Sequence, residues 1–329
     1  MRSNAVFLCL IVLASAVGLR AQPASKSTEE PKAKPLHPAF DVPHGVKSYL
    51  DIPYVEKGHE RQKLNLFLPE KKSDTPLPVI VAIHGGGWVV GEKDRLGARG
   101  VYMLTRGFAI AGIGYRLSGD APFPAQIEDC KAAIRWLRAH AEDYNLDPDH
   151  FAAVGGSAGG HLAALVGTSG GVKEFDVGAH LDQSSRVQAV VDNCGPTDIV
   201  KFAATKGAKD SESPSSLVVK LLGGPLKERL ALAEQANPIT HLDKTVPPFL
   251  IIHGDLDRHV PINQSELLFA ALKQAGISVR FHTIHGAGHA DLSQQEIFEM
   301  RNAFLEQTLK GKPDRGTKPE AVRTESHFE

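Results

Sequence analysis

Short apolar runs and longer amphipathic stretches alternate along the chain between about residues 49 and 309. The runs at 49–56, 63–68, 79–83, 109–115, 151–154, 187–192, 249–252 and 279–284 predict strands. Several are continuously apolar, as in Val79-Ile80-Val81-Ala82-Ile83. A strand covered by helices on both faces needs that pattern, whereas a half-exposed strand alternates. Helices are predicted at 126–144, 160–166, 263–274 and 294–308. In the first, Ile127, Cys130, Ile134, Leu137 and Ala141 recur at three- and four-residue steps and form one apolar stripe. The two leading strands, separated by residues 57–62, read as an antiparallel hairpin at a sheet edge. Strand and helix alternate thereafter, which predicts an α/β fold with a mostly parallel sheet flanked by helices. Residues 196–246 hold short helical pieces among Gly, Pro and charged residues. They are expected to form a small lid-like insertion, the alternative being an ordinary irregular connection.

The two ends differ from this core. Met1-Arg2 precedes an apolar run over 5–19 and then Leu19-Arg20-Ala21, so residues 1–21 read as a signal peptide. The run is shorter than the roughly 20 apolar residues of a spanning helix. The expectation is an exported chain, secreted or periplasmic, with no stable membrane association. Residues 22–44 and 311–329 are polar and aperiodic, a flexible lead-in and a disordered tail, which leaves 45–310 as the folded domain. A net charge of −1 supplies no field for nucleic acid, so no nucleic-acid partner is expected. Beyond Cys9 in the leading run, Cys130 and Cys194 sit in apolar patterns and read as two buried thiols, although export would permit a disulfide between them.

Gly155-Gly156-Ser157-Ala158-Gly159 matches G-x-S-x-G, but so does Gly167-Thr168-Ser169-Gly170-Gly171. Context separates them. A nucleophile elbow needs a strand before the serine and a helix after it, so that a tight turn presents the hydroxyl at the strand's carboxyl end. Ser157 has Phe151-Ala152-Ala153-Val154 before it and Gly160-His161-Leu162-Ala163-Ala164-Leu165 after it. Ser169 follows that helix and reads as a glycine-rich helix stop. A serine hydroxyl needs a base to remove its proton, and attack on an ester creates an oxyanion that needs donors already in place. His84-Gly85-Gly86-Gly87-Trp88 follows the strand at 79–83 and can supply backbone N–H groups, with Ala158, the residue after the serine, as a further donor. Among fifteen histidines, His289 lies in Gly286-Ala287-Gly288-His289-Ala290 between a strand end and the C-terminal helix, where a base belongs. His282 and His285 belong to the preceding strand or its edge. Strand alternation sends them to opposite faces, so no metal set is read here. The acid is open between Asp255 and Asp257, which both follow the strand at 249–252, with Asp198 as a third candidate.

These motifs, with Gly114-Tyr115-Arg116-Leu117, 123–129 and 247–255, resemble the α/β-hydrolase esterases related to the hormone-sensitive-lipase type. More closely, they resemble the feruloyl and acetylxylan esterase-like proteins of bacteria. The resemblance implies an α/β-hydrolase fold in which Ser157, His289 and Asp257 form a catalytic triad, with Gly86 and Gly87 as oxyanion donors beside Ala158. It implies no cofactor and no metal. The expected reaction is hydrolysis of short-chain acyl esters through an acyl-enzyme, with acetyl or feruloyl esters of plant polysaccharides as candidate substrates; Trp88 is a candidate for the substrate-binding wall, the alternative being a core or loop-packing residue. A prolyl-oligopeptidase-like serine peptidase shares this architecture, but the chain has no room for its accessory domain. A non-catalytic binding protein on a hydrolase scaffold commonly lacks a triad member, and none is missing. The hormone-sensitive-lipase type carries an N-terminal helical cap, whereas strand-like segments here begin near Tyr49. It also often has Asn where this chain has His161, which reads as structural, with a pocket-edge role as the alternative.

Overall fold

The computed structural model describes residues 44–93, 97–205, 212–289 and 295–313. The signal-peptide reading, most of the lead-in and all but the start of the tail lie outside the described residues. Eight strands form one sheet in the order β1-β2-β4-β3-β5-β6-β7-β8. They are β1 (Val46–Pro53), β2 (Lys63–Pro69), β3 (Leu77–Ile83), β4 (Ala109–Ile113), β5 (Leu146–Gly156), β6 (Ala189–Asn193), β7 (Phe249–Gly254) and β8 (Val279–Ile284). β2 pairs antiparallel with both β1 and β4, and every other pairing is parallel. The leading hairpin therefore sits at the edge, as its spacing predicts. Its first strand starts three residues earlier than expected and ends at Pro53, which has no N–H to continue the ladder.

The two-residue period of the strands divides the core in two. Val79, Val81 and Ile83 face one side with α2 (Ala125–Ala139), α4 (Ala158–Thr168) and α8 (Asn263–Gln274). Ile80, Ile110, Val191, Leu250 and Ile252 face the other with α1 (Gly97–Thr105) and α9 (Gln295–Lys310). Each fully buried Leu, Ile or Val contributes about 1.5–3 kcal/mol, which explains why runs without polar positions end up between two helix layers. The helix expected over 126–144 is two pieces. At His140 φ −105° and ψ 19° interrupt α2, and α3 (Ala141–Tyr144) follows, ended by Asn145 in the left-handed region. α1 has no counterpart among the predicted helices.

Residues 196–246 contain α5 (Ile199–Thr205), α6 (Leu217–Leu222) and α7 (Leu230–Gln235). They leave from the carboxyl end of β6. Among the described residues, no helix is long and apolar enough to cross a membrane.

Candidate active site

Register brings the site together. Ile83 pairs with Gly155, Gly156 with Asn193, Asn193 with Ile252 and Gly254 with Ile284. The loops after β3, β5, β6, β7 and β8 therefore emerge side by side at the carboxyl edge, where ligands of open α/β sheets bind. Gly86, Gly87, Trp88, Ser157, Asp198, Asp255, Asp257 and His289 all lie on these loops, and Ala158 opens the helix that follows Ser157.

Ser157 occupies the turn between β5 and α4 with φ 57° and ψ −126°, a region that disfavours side chains. Close packing explains the two motif glycines. A Cβ on Gly155 would lie 2.1 Å from Gly159 O, and one on Gly159 would lie 2.2 Å from Ile83 O. Gly156 has no such constraint, its Cβ position being 3.8 Å from the nearest atom. Ser169 is buried and its N–H closes α4 on Leu165 O, the helix stop expected of it.

Ser157 Oγ lies 3.0 Å from His289 Nε2, and His289 Nδ1 lies 2.6 Å from Asp257 Oδ2. This continuous hydrogen-bonded chain separates the acid candidates. Asp255 turns away and accepts from exposed His285 and from the Gly286 amide. Asp198 accepts from the Lys201 amide at the start of α5. Asp257 is held by four donors: the amides of His259 and Val260 on one oxygen, and His289 and His253 on the other. Burial alone would raise its carboxyl pKa, but these hydrogen bonds outweigh burial and hold it well below 3.8. His253 Nε2 faces two acceptors, Val260 O at 2.8 Å and Asp257 Oδ2 at 3.2 Å, so this nitrogen carries the proton. Its Nδ1 then accepts from the Ser265 hydroxyl at 2.7 Å.

The hydrogen bond to Asp257 and then the Cys194 side chain raise the His289 pKa above 6.5, while burial opposes them. Sequence reasoning treated Cys194 only as a buried thiol. It is buried and not in a disulfide, as is Cys130, but its Sγ, a carboxylate oxygen of Asp257 and a ring nitrogen of His289 all lie within 4.8 Å of one another. Its place at the end of an apolar strand carried no hint of this.

The glycine loop after β3 runs against the elbow. A Cβ on Gly85 would lie 2.6 Å from Gly156 O. Gly86 and Gly87 follow with φ of 115° and 60°. His84 stacks on Tyr115 at 4.2 Å, and its carbonyl accepts from the Tyr115 hydroxyl at 2.8 Å. Arg116 grips Asp129 through Nε and a terminal nitrogen at 2.9 and 2.8 Å, and Gln62 donates to the same carboxylate. Tyr115 thus braces the start of the glycine loop, and its neighbour Arg116 is anchored on the aspartate of 123–129.

One expectation is corrected. Trp88 does not line a substrate wall, because its side chain is 1 % exposed and its indole N–H is spent on His161. Leu217 of α6 packs over the glycine loop instead, its Cδ1 2.8 Å from where a Cβ on Gly87 would be, and it remains exposed.

A model of the BD-FAE family matches residues 64–272, more than half of the chain. The chain belongs to the BD-FAE family. This BD-FAE protein is 31% identical over 235 residues to the probable carboxylic ester hydrolase LipM of Mycobacterium tuberculosis, covering 68% of this chain and 51% of LipM. It spans about half the length of the curated relatives it matches. Among solved structures, a truncated carbohydrate esterase from gut microbiota is 31% identical, covers 80% of this chain and 96% of its own, and has a TM-score of 0.73. Esterase B of Lactobacillus rhamnosis is 27% identical, covers 82% and 88%, and has a TM-score of 0.69. The fold is that of the α/β-hydrolase esterases.

Proposed function

We propose that this BD-FAE protein is a serine carboxylic-ester hydrolase acting through an acyl-enzyme. The observation that carries the reading is the hydrogen-bonded sequence Ser157–His289–Asp257 at 3.0 and 2.6 Å, drawn from the loops after β5, β8 and β7. His289 Nε2 takes the Ser157 proton as Oγ bonds to the ester carbonyl carbon. The same proton passes to the leaving alcohol as the carbon–oxygen bond breaks. Water then repeats the sequence on the acyl-enzyme, which releases the acid. Asp257 holds the imidazole in the Nδ1–H tautomer and stabilises its charged form. The amides of Gly86, Gly87 and Ala158 are the oxyanion donors in this reading.

The substrates proposed are short-chain acyl esters, among them acetyl or feruloyl esters of plant polysaccharides. The likeness to a carbohydrate esterase supports the sugar component. Leu217 against Gly87 supports a short acyl group by narrowing the space over the loop. The lid-like role of 196–246 belongs to the same proposal, as does export, which rests on the apolar run over 5–19.

Ser157→Ala is expected to abolish ester hydrolysis and fluorophosphonate labelling while the protein still melts cooperatively. Wild-type activity in that variant refutes the nucleophile. A panel of acetylated xylan, methyl ferulate, aryl esters of graded length and aminoacyl amides reads the substrate, and preference for the amides overturns the esterase reading.

A further inference from the structure

Trp88 is an unlikely residue for its backbone. It has φ 61°, immediately after two positive-φ glycines, where a large side chain costs on the order of 1–2 kcal/mol. Such a conformation persists only when its surroundings hold it. Two contacts do. The Trp88 carbonyl accepts from the Ser118 amide at 2.8 Å, and the indole N–H donates to His161 Nδ1 at 3.2 Å, with the rings edge to face at 88°.

His161 is fully buried, and its partners dictate its proton. An indole can only donate, so Nδ1 is the bare acceptor. The proton therefore sits on Nε2, which lies 2.7 Å from Ala236 O, an atom that can only accept. Burial, partly opposed by that carbonyl, lowers the imidazole pKa to about 4. The ring is neutral at neutral pH. The backbone N–H of His161 donates to Ser157 O at 3.0 Å, which places the residue one turn along the helix that begins at the serine. Ala236 caps the end of α7, and the next residue, Asn237, accepts from the Ile199 amide at the start of α5.

One imidazole thus touches the elbow helix, the glycine loop and the 196–246 insertion. We infer that His161 is a positioning residue that fixes the Gly86–Gly87 amides relative to Ser157 through Trp88, and ties the insertion that carries Leu217 to the same frame through Ala236. The inference rests on the reading of those amides as oxyanion donors. Its mark is a loss in the chemical step. Donors displaced by a fraction of an ångström still admit substrate but stabilise the tetrahedral oxyanion less.

The test compares His161→Leu, His161→Gln and Trp88→Phe in the full chain, with a soluble aryl acetate as substrate. His161→Leu should lower kcat by about 10- to 100-fold, the scale of small misplacements at a reacting centre, with KM little changed. His161→Gln, which keeps an acceptor and a donor, should recover most of the loss. Trp88→Phe should resemble His161→Leu, and the double variant should lose little more than either. The chain has two tryptophans, so the Trp88 indole resonance is assigned by its absence in Trp88→Phe. That resonance should move in His161→Leu and return toward its original position in His161→Gln. Unchanged kcat in folded His161→Leu, a loss confined to KM, or fully multiplicative losses in the double variant would each overturn the inference. If His161→Leu does not fold, Trp88→Phe decides through kcat. Activity surviving in Ser157→Ala would remove the functional reading instead, and the indole resonance would still report whether His161 holds the loop.

Discussion

Asp257→Asn tests the acid against its neighbour two residues away. The substitution keeps the side-chain shape, and its remaining oxygen can still accept from the amides of His259 and Val260 at 2.8 and 2.9 Å. At the other position an NH2 replaces an acceptor that lies 2.6 Å from His289 Nδ1 and 3.2 Å from His253 Nε2. His289 can meet that donor only by accepting at Nδ1, which moves its ring proton to Nε2. Nε2 is the atom facing Ser157 Oγ at 3.0 Å, and once protonated it cannot take the serine proton. A wrong tautomer of this kind lowers kcat by about 10,000-fold, or about 5.5 kcal/mol of barrier. Asp255→Asn disturbs only exposed His285 and the Gly286 amide, so its effect on kcat should stay within about twofold, as for surface substitutions generally. Steady-state hydrolysis of a soluble aryl acetate by both variants, with melting curves to show that each is folded, makes the measurement. A collapse of kcat in Asp255→Asn with Asp257→Asn unimpaired would refute the reasoning from tautomer to rate.

Three other outcomes follow from the same geometry. Activity should rise with pH as His289 loses its proton, with a midpoint above 6.5; Cys194→Ala removes a group that favours the charged ring, so the midpoint of the kcat/KM profile should move to lower pH. Burial raises the Asp192 pKa from 3.8 to about 6, so the folded state holds this proton more tightly than the unfolded state and loses stability as pH rises between those values. Asp192→Asn keeps an acceptor for the Gly195 amide and should stabilise by up to about 3 kcal/mol above pH 6, a gain in Tm that shrinks toward pH 4 and whose absence at pH 8 would count against it. Gly159→Ala should cost activity and stability together because its Cβ meets the Ile83 and His84 carbonyls at 2.2 and 2.7 Å, whereas Gly156→Ala should be tolerated, as paired melting and activity assays will read.

The fold was legible wherever burial was two-sided. Val79 to Ile83 carries no polar residue because both its faces meet helices, and such runs mark strands without help from periodicity. Helix breaks were less legible. Nothing apolar changes at His140, since the interruption lies in the backbone angles and not in the stripe. α1 escaped because two glycines, Gly97 and Gly100, stand in its first turn, and glycine is a weak helix former. At the site, one-dimensional spacing located the loops but not the direction of each side chain. Asp255 and Asp257 both follow β7, and only the turn between them sends one to His289 and the other to His285. Trp88 misled for the same reason: a tryptophan beside a glycine loop suggests a wall, and the positive φ that turns it inward is invisible in the sequence.

The histidines around the elbow show what residue type alone leaves out. His161, His253 and His289 each sit beside the nucleophile's frame, and each could be a base by chemistry. Hydrogen-bond supply and access distinguish them. His161 faces an obligate donor and an obligate acceptor that fix its proton on Nε2, His253 faces a carboxylate and a hydroxyl as His289 does, and both His161 and His253 are sealed from solvent. His289 has one nitrogen on a carboxylate and the other on a hydroxyl that can donate or accept, and its side chain is 21 % exposed. A general base must exchange its proton with serine, leaving alcohol and water in turn. His289 has both the ambivalent partner and the opening to solvent which the proposed exchange requires, and the two sealed rings have no such opening.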